Sequence, residues 1–202
     1  MLCAGLTTYS ALRKANASPG DFVVISGAGG GLGHLAVQIA AKGMAYRVIG
    51  IDHGSKEKIV KDSGAEYFFD VTKYKGDELA AEIKKVTGGL GAKAVIVCTA
   101  VNKAYAQAVT FLRFGGTVVC VGIPEGDMEA IASAYPAAMI MQELKIVGSA
   151  VGTQWETLQV LDMAKRGVVK TSYRIEKMDK LTEVFKEMEE GKLHGRVVLD
   201  LE

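Results

Sequence analysis

The sequence predicts an α/β protein with a doubly wound, six-stranded parallel sheet that has helices on both faces. Short apolar segments typical of buried strands alternate with segments whose apolar residues recur at helical spacing. In addition, the first apolar segment, residues 22–25, runs directly into a glycine-rich turn and then into a helical pattern. A strand, a tight glycine turn and a helix in that order are typical of the first unit of such a sheet.

The strands of the sheet are predicted at 22–25, 46–51, 67–69, 94–98, 117–121 and 144–148. The helices between them are predicted at 34–42, at 55–63 with Ser55 as the cap, at 77–86 and at 104–112. Because crossovers between parallel strands are right-handed, the expected strand order is 3-2-1-4-5-6, that of the Rossmann fold.

Three parts of the chain are distinguished. Residues 1–21 form an approach segment with a short helix that Thr7 and Thr8 are expected to cap. Residues 22–152 form the doubly wound domain. Residues 153–202 complete it with helices at 156–166 and 181–190, a strand near 173–175 and a closing strand at 196–200.

The glycine turn carries the strongest indication of a ligand. Residues 27–33 hold five glycines, and Gly27, Gly30 and Gly33 fit a GxxGxxG register, although the strict GxGxxG pattern is absent. Such a turn lets backbone N–H groups approach a pyrophosphate at the positive end of a helix, since no Cβ stands in the way. Asp52 ends the second strand, nineteen residues after Gly33. A carboxylate there accepts hydrogen bonds from the adenosine ribose and repels a 2′-phosphate, so the pattern predicts NAD.

Charge and cysteine content exclude several other classes. The net charge is +1, from 24 basic and 23 acidic residues without a long run of either sign, so nucleic acid and acidic membranes are not expected partners. No apolar run approaches the length of a membrane span. Three cysteines spread along the chain form no disulfide framework and are typical of a reducing compartment, so a cytoplasmic location is expected. His34 is expected to cap a helix or lie on the surface, and no histidine is assigned a metal role.

Several longer motifs resemble one family, the zinc-dependent medium-chain alcohol dehydrogenases, and in particular its tetrameric fungal and bacterial members. The motifs are MLCAGLTTYSAL at 1–12, ISGAGGGLG at 25–33, VIGID at 48–52, LRFGGTVVCVGIP at 112–124, GSAVG at 148–152 and EEGKLHGRVV at 189–198. The resemblance covers essentially the whole chain. It implies an NAD-dependent enzyme that interconverts an alcohol and its aldehyde or ketone by hydride transfer.

The resemblance also implies roles for individual residues. Gly30, Gly31 and Leu32 are expected at the pyrophosphate, with Arg196 as a charged donor to it. Asp52 is expected at the adenosine ribose with Lys56 nearby. The remaining expected contacts are Val71 and Thr99 beside the adenine, Val121 in the nicotinamide pocket, and Ser149 and Val151 at its amide end.

For zinc, the resemblance implies that Cys3 is one ligand of a catalytic site. Family members carry the other protein ligands and a structural zinc site in an N-terminal catalytic domain, and the resemblance begins after that domain. One thiolate does not hold a catalytic zinc, which needs three protein donors. The chain is therefore expected to bind NAD(H) without bound zinc, to return toward the catalytic domain through residues 153–202, and not to oxidise an alcohol alone.

Three alternatives remain open from the residues. A short-chain dehydrogenase would use the GxxxGxG register of Gly27, Gly31 and Gly33 with Tyr173 and Lys177 as a YxxxK pair, but those two residues alternate as in a strand. A zinc-free quinone oxidoreductase would use NADPH, which Asp52 disfavours. A non-catalytic NAD(H)-binding module, serving as a redox sensor or in assembly, is the third.

Assembly is predicted from the edge of the sheet. The sixth strand, near 145–148, would leave backbone groups unpaired unless another chain covers them. The apolar segment 134–141 lies nearby in the sequence and would add contact area. A homodimer through this edge is expected, and the resemblance implies a tetramer for the full-length enzyme.

Overall fold

A computed structural model describes residues 1–127 and 129–201. The main sheet consists of β1 (Phe22–Ser26), β2 (Arg47–Asp52), β3 (Tyr67–Asp70), β4 (Ala92–Val97), β5 (Leu112–Cys120) and β6 (Lys145–Gly148). All its pairings are parallel and its order is β3-β2-β1-β4-β5-β6. The doubly wound fold and the strand order predicted from the sequence are confirmed.

The helices are α1 (Ala4–Lys14), α2 (Gly33–Gln38), α3 (Glu57–Ser63), α4 (Glu78–Val86), α5 (Asn102–Ala108), α6 (Pro136–Met141), α7 (Gln154–Lys165) and α8 (Leu181–Glu189). A π-helical turn, Ile39–Gly43, continues α2. Two further strands, β7 (Tyr173–Lys177) and β8 (Arg196–Asp200), pair in parallel as a separate small sheet. Within the described residues, no helix is long and apolar enough to cross a bilayer.

Side chains of β1 alternate between two apolar layers, as the period of a strand requires. Val23 and Ile25 join a buried cluster with α1, α2 and α7, whereas Val24 joins a second cluster with α4 and α5 on the opposite face. Both faces of the sheet are therefore covered, which explains why the strands read as continuous apolar runs. The helix of the approach segment belongs to the first layer, since Leu12 is fully buried.

Two predicted helix caps were wrong. Thr7 and Thr8 lie inside α1, which begins at Ala4, and the Thr8 hydroxyl donates back to the Ala4 carbonyl at 2.9 Å. Ser55 does not cap α3, because a short 3-10 turn, Gly54–Lys56, comes first and the His53 ring accepts the Ser55 amide at 3.2 Å. The Thr8 hydroxyl thus bonds a backbone carbonyl of its own helix, whereas the Ser55 hydroxyl lies 2.9 Å from the Nδ1 of His53.

The helix predicted at 104–112 also ends too late. It ends at Ala108, a 3-10 turn covers Val109–Phe111, and β5 begins at Leu112, five residues before the predicted start. The pairing of β5 with β4 is irregular between Ala92 and Ala94. This irregularity takes up the glycine pair at 115–116, which lies between the predicted helix and the predicted strand. The helix α6 was not predicted.

Candidate functional site

The site lies at the point where the winding of the sheet reverses. β1 is the central strand, with β2 on one side and β4 on the other, so the chain leaves β1 in one direction and later returns on the opposite side. In a parallel sheet all carboxyl ends lie at one edge, and the crevice at the reversal point is where such folds bind ligands. The glycine turn follows β1 at that edge.

The glycine turn is closed by backbone contacts. The amides of Gly27 and Ala28 donate to the Ile51 carbonyl at 2.9 and 3.1 Å, which anchors the turn to β2. Gly27 has a φ of 78°, and a Cβ on Gly33 would lie 1.9 Å from the Gly27 carbonyl oxygen. A Cβ on Gly30 would meet only that oxygen, at 3.5 Å. Gly27 and Gly33 are thus required by the turn, whereas Gly30 leaves space in front of the loop.

Asp52 connects this turn to the end of β2. Its Oδ2 accepts the Gly29 amide at 2.8 Å, and its Oδ1 accepts the His53 amide at 2.8 Å. The Lys56 ammonium lies 3.7 Å from Oδ1, and both side chains are about nine-tenths buried, at 12% and 11% exposure. Lys56 occupies the space that a Cβ on Gly29 would need, since that atom would lie 2.6 Å from the Lys56 Cβ. The two charges are therefore held against the glycine turn.

Three of the residues predicted for the adenosine side line one cavity of about 550 Å³. Asp52 stands at its polar side, together with Val71 and Thr99. Its apolar walls include Leu79, Ala104 and Phe111. An apolar slot with one carboxylate beside it suits a planar base carrying a ribose. Lys103 and Gln107, which were not singled out from the sequence, also line this cavity.

The three residues predicted for the nicotinamide side line a second, larger cavity of about 1350 Å³. Val121, Ser149 and Val151 surround it with Tyr105. Val151 has a φ of 47°, which is rare for a β-branched residue. Backbone strain such as that of Val151 is concentrated at functional sites. The Ser149 hydroxyl accepts a hydrogen bond from the Lys14 ammonium at 3.0 Å, a partner that the sequence did not suggest.

Arg196 reaches the glycine turn from the small sheet. Its Nε donates to the Gly31 carbonyl at 3.2 Å, and the neighbouring Gly195 amide donates to Gly29 at 3.3 Å. Leu32 packs partly buried against the first apolar layer. The structure thus gathers Gly30, Gly31, Leu32 and Arg196 at the turn.

His34 occupies a position that the sequence analysis misjudged. The expected surface or capping role was wrong, because the side chain is fully buried and α2 has no side-chain cap. Its Nδ1 lies 2.8 Å from the Gly30 carbonyl, and its Nε2 accepts the Ser172 amide at 3.2 Å. Burial lowers the pKa of His34, and the charge of Arg196 adds to this while the Gly30 carbonyl opposes it. In the sequence, the four-residue spacing between Gly30 and His34 was the signal that could have indicated this contact.

Cys3 belongs to no group of metal-ligating side chains in the described part of the chain. It is exposed at the start of α1 and is not disulfide-bonded. Among residues 1–127 and 129–201, no three His, Cys, Asp or Glu side chains are grouped to hold a metal ion. The donors that the structure describes therefore do not fit a catalytic zinc, which requires three protein ligands.

Comparisons with known proteins agree on one family. A family model described as zinc-binding dehydrogenase matches residues 31–166. Alcohol dehydrogenase 2 of Emericella nidulans is 60% identical, and an alcohol dehydrogenase of Schizosaccharomyces pombe is 43% identical. Each alignment covers 100% of this chain and 56% of the relative, so the chain spans about half the length of the curated relatives it matches.

Solved structures give the same result. The alcohol dehydrogenase of Aeropyrum pernix superposes with a TM-score of 0.87 at 28% identity, over 98% of this chain and 56% of that chain. The acetophenone reductase of Geotrichum candidum in complex with NAD superposes with a TM-score of 0.79 at 26% identity, over 98% of this chain and 53% of that chain.

Proposed function

The chain belongs to the zinc-binding dehydrogenase family, and we propose that it is the NAD(H)-binding part of an alcohol dehydrogenase. The observation that carries the proposal is the position of Asp52 between the glycine turn and the first cavity. From this position the Asp52 carboxylate can contact both a ribose in the cavity and the loop that would face the phosphates. The named activities of the relatives and the NAD-bound reductase support the assignment.

The dinucleotide fits the site in one direction. Its adenine enters the smaller cavity between Val71 and Thr99, and the adenosine ribose reaches Asp52. The pyrophosphate would lie across the loop in front of Gly30, where a Cβ would meet only the Gly27 oxygen at 3.5 Å, with Arg196 beside it. The nicotinamide enters the larger cavity near Val121. Glycine is needed in the loop because the backbone must approach the phosphates closely.

NAD is favoured over NADP by charge. A 2′-phosphate on the adenosine ribose would meet the Asp52 carboxylate, which is largely buried and so poorly screened. Lys56 offsets part of this charge, yet it lies 3.7 Å from the carboxylate oxygen and is held there by its packing against Gly29. We therefore expect the chain to discriminate against the phosphorylated cofactor.

When bound, NAD(H) would supply the hydride acceptor or donor for interconversion of an alcohol and its aldehyde or ketone in the longer protein. The residues of this chain bind and orient the cofactor for that transfer. The apolar lining of the larger cavity includes Val121, Ile123 and Ile131, against which one face of a nicotinamide ring would pack. Because the described donors do not fit zinc, the chain by itself is expected to bind NAD(H) without turning over an alcohol.

Two surfaces support further assembly. Within the described residues β6 pairs only with β5, and the side chains of Tyr135, Ile140 and Met141, in the segment that precedes β6 in the chain, are exposed. We propose a homodimer through that edge, and a tetramer for the full-length enzyme. The small sheet exposes Tyr173, Ile175 and Val198, and we expect this surface to face the catalytic domain.

Three cysteines free of disulfides suit a cytoplasmic location.

Cofactor titration of the purified chain tests the proposal. NADH fluorescence or calorimetry is expected to detect binding of NADH, with NADPH at least about tenfold weaker, which corresponds to about 1.4 kcal/mol. An assay with ethanol, NAD and added zinc is expected to show no turnover. Stronger binding of NADPH would favour a quinone oxidoreductase, and failure to bind either cofactor would overturn the assignment.

A further inference from the structure

The imidazole of His34 joins the glycine turn to the C-terminal segment. Its Nε2 accepts the Ser172 amide at 3.2 Å, so the ring proton must lie on Nδ1, which then donates to the Gly30 carbonyl at 2.8 Å. Both contacts are made by one neutral tautomer. The side chain is fully buried, so no solvent competes for either bond.

The neighbouring carbonyls of the turn are held in the same way. Gly29 accepts the Gly195 amide at 3.3 Å, and Gly31 accepts the Arg196 Nε at 3.2 Å. Three successive carbonyls, on residues 29, 30 and 31, therefore point at donors of the protein. A carbonyl that turned toward a pyrophosphate would repel it, because both groups carry negative charge.

Fixing these carbonyls also fixes the amides that follow them. In a trans peptide the C=O and N–H bonds point in opposite directions, and no peptide bond of the described chain is cis. The Gly30 carbonyl accepts the backbone amide of His34 at 3.2 Å as well as the imidazole Nδ1 at 2.8 Å. Turned toward these two donors, it directs the amide of Gly31 to the other side. Among the described residues, the amides of Gly31 and Leu32 donate to no protein acceptor. They are free for a ligand.

We propose that His34 is a positioning residue for pyrophosphate binding, which holds the Gly30 carbonyl so that the Gly31 amide faces the cofactor and couples this amide to Ser172. The inference rests on the proposed dinucleotide function. His34 touches neither phosphate nor nicotinamide, so its effect is confined to ligands that place a phosphate on the loop. Adenosine, which occupies only the smaller cavity, does not depend on it.

Protonation of His34 would disturb this arrangement. A proton on Nε2 removes the acceptor for the Ser172 amide, and the charged group acting on the ring is the Arg196 guanidinium, which repels the imidazolium. Because burial lowers the pKa of His34, binding of a pyrophosphate ligand is expected to weaken only as the pH falls below the ordinary imidazole range. Adenosine binding is expected to stay constant over the same pH range.

The test compares ADP-ribose with adenosine on the full chain by calorimetry. His34→Leu removes both hydrogen bonds and is expected to weaken ADP-ribose about fivefold, as for the loss of a neutral hydrogen bond, with adenosine unchanged. His34→Asn keeps a donor near Gly30, and it is expected to recover most of the ADP-ribose affinity without the dependence on pH. The control is Gln38→Met, which breaks the Gln38 contacts with Lys170 and leaves the glycine turn untouched.

The outcomes separate the inference from the proposed function. Equal loss of ADP-ribose and adenosine binding in His34→Leu, or an unchanged ADP-ribose affinity, would overturn the positioning role while NADH binding by the unaltered chain still supports the cofactor assignment. The positioning role would also be overturned if Gln38→Met weakened ADP-ribose binding while leaving adenosine binding unchanged. If the unaltered chain binds neither NADH nor ADP-ribose, both proposals fail.

Discussion

The Asp52 carboxylate accepts a hydrogen bond of 2.8 Å from the Gly29 amide, which joins the end of β2 to the turn after β1. The residue predicted to bind the ribose therefore also shapes the loop predicted to bind the pyrophosphate. These two roles draw on different properties of the side chain. The loop needs an acceptor oxygen, whereas discrimination against NADPH needs a negative charge.

Asp52→Asn separates the two roles, because the amide keeps one acceptor oxygen and loses the charge. We expect NADH affinity to fall about tenfold, since hydrogen bonds to charged groups contribute about 1.5–3 kcal/mol. NADPH is expected to lose less or to gain, so the ratio of the two dissociation constants approaches one. Calorimetric titration with both cofactors measures this ratio.

Asp70→Asn is the matched control for this prediction. Asp70 lies directly opposite Asp52 on the neighbouring strand, and its carboxylate accepts bonds from the amide and hydroxyl of Thr72. The cofactor ratio is expected to be unchanged in this variant. If both variants alter the ratio equally, general electrostatics of the sheet edge, and not the position of Asp52, sets the preference.

Two glycines of one turn are expected to respond differently to alanine. At Gly33 the new methyl would lie 1.9 Å from the Gly27 oxygen, so we expect a loss of at least about 3 kcal/mol in unfolding free energy. At Gly30 the methyl meets only that oxygen at 3.5 Å, so the fold is expected to be retained while NADH binding falls. Thermal unfolding and NADH titration of both variants give the two readings. Strong NADH binding by Gly30→Ala would place the phosphates elsewhere.

The sequence predicted the central strands well because each is a buried apolar run bounded by turn residues. It failed where tertiary contacts override local signals. The pair Gly115 and Gly116 reads as a turn, yet an irregularity in strand pairing keeps both inside β5. α6 is only six residues long and apolar throughout, so it lacks the alternation of polar and apolar residues at helical spacing by which to recognise it. The contact of His34 with Ser172 joins residues far apart in the sequence, which no local pattern records.

Stability is expected to depend on pH through His34. Its folded-state pKa is lowered, chiefly by burial, so above the unfolded-state value of about 6.5 both states carry a neutral ring. As the pH falls through that value, the unfolded chain takes up a proton that the folded chain does not, and stability decreases. The thermal midpoint, followed by circular dichroism, is expected to fall between pH 7.5 and 5.5.

His34→Asn supplies the comparison and is expected to flatten this part of the curve. The carboxylates of Glu66 and Glu156 also have lowered pKa values, through bonds to Arg47 and to the Thr153 amide respectively. Their contribution is lost only as the pH falls below about 4.3, a separate window. A fall of the same size between pH 7.5 and 5.5 in the His34→Asn chain would assign the effect to another group.

Arg196→Met is expected to weaken NADH about tenfold by removing a charge-assisted donor beside the glycine turn. The loss is expected to shrink at 500 mM salt, because salt screens the attraction in the unaltered protein. Arg174→Met is the control, since Arg174 lies in the same small sheet and pairs with Glu176 and Glu187. Equal effects of the two variants on fluorescence titration would show that the small sheet, and not the Arg196 charge, matters.

The free edge of β6 predicts the oligomeric state. Its outer backbone groups have no partner strand in the described chain, and Ile140 and Met141, in the helix that precedes it, are 73% and 76% exposed. Pairing with a second copy would satisfy the edge and cover these side chains together, which is a stronger drive than either alone. Sedimentation at micromolar concentration is therefore expected to give a dimer, and Ile140→Glu with Met141→Glu a monomer that still binds NADH. Leu90→Glu changes an equally exposed residue, at 67%, in the turn before β4, and it is expected to leave the dimer intact. A monomeric unaltered chain, or dissociation by Leu90→Glu alone, would contradict pairing through β6.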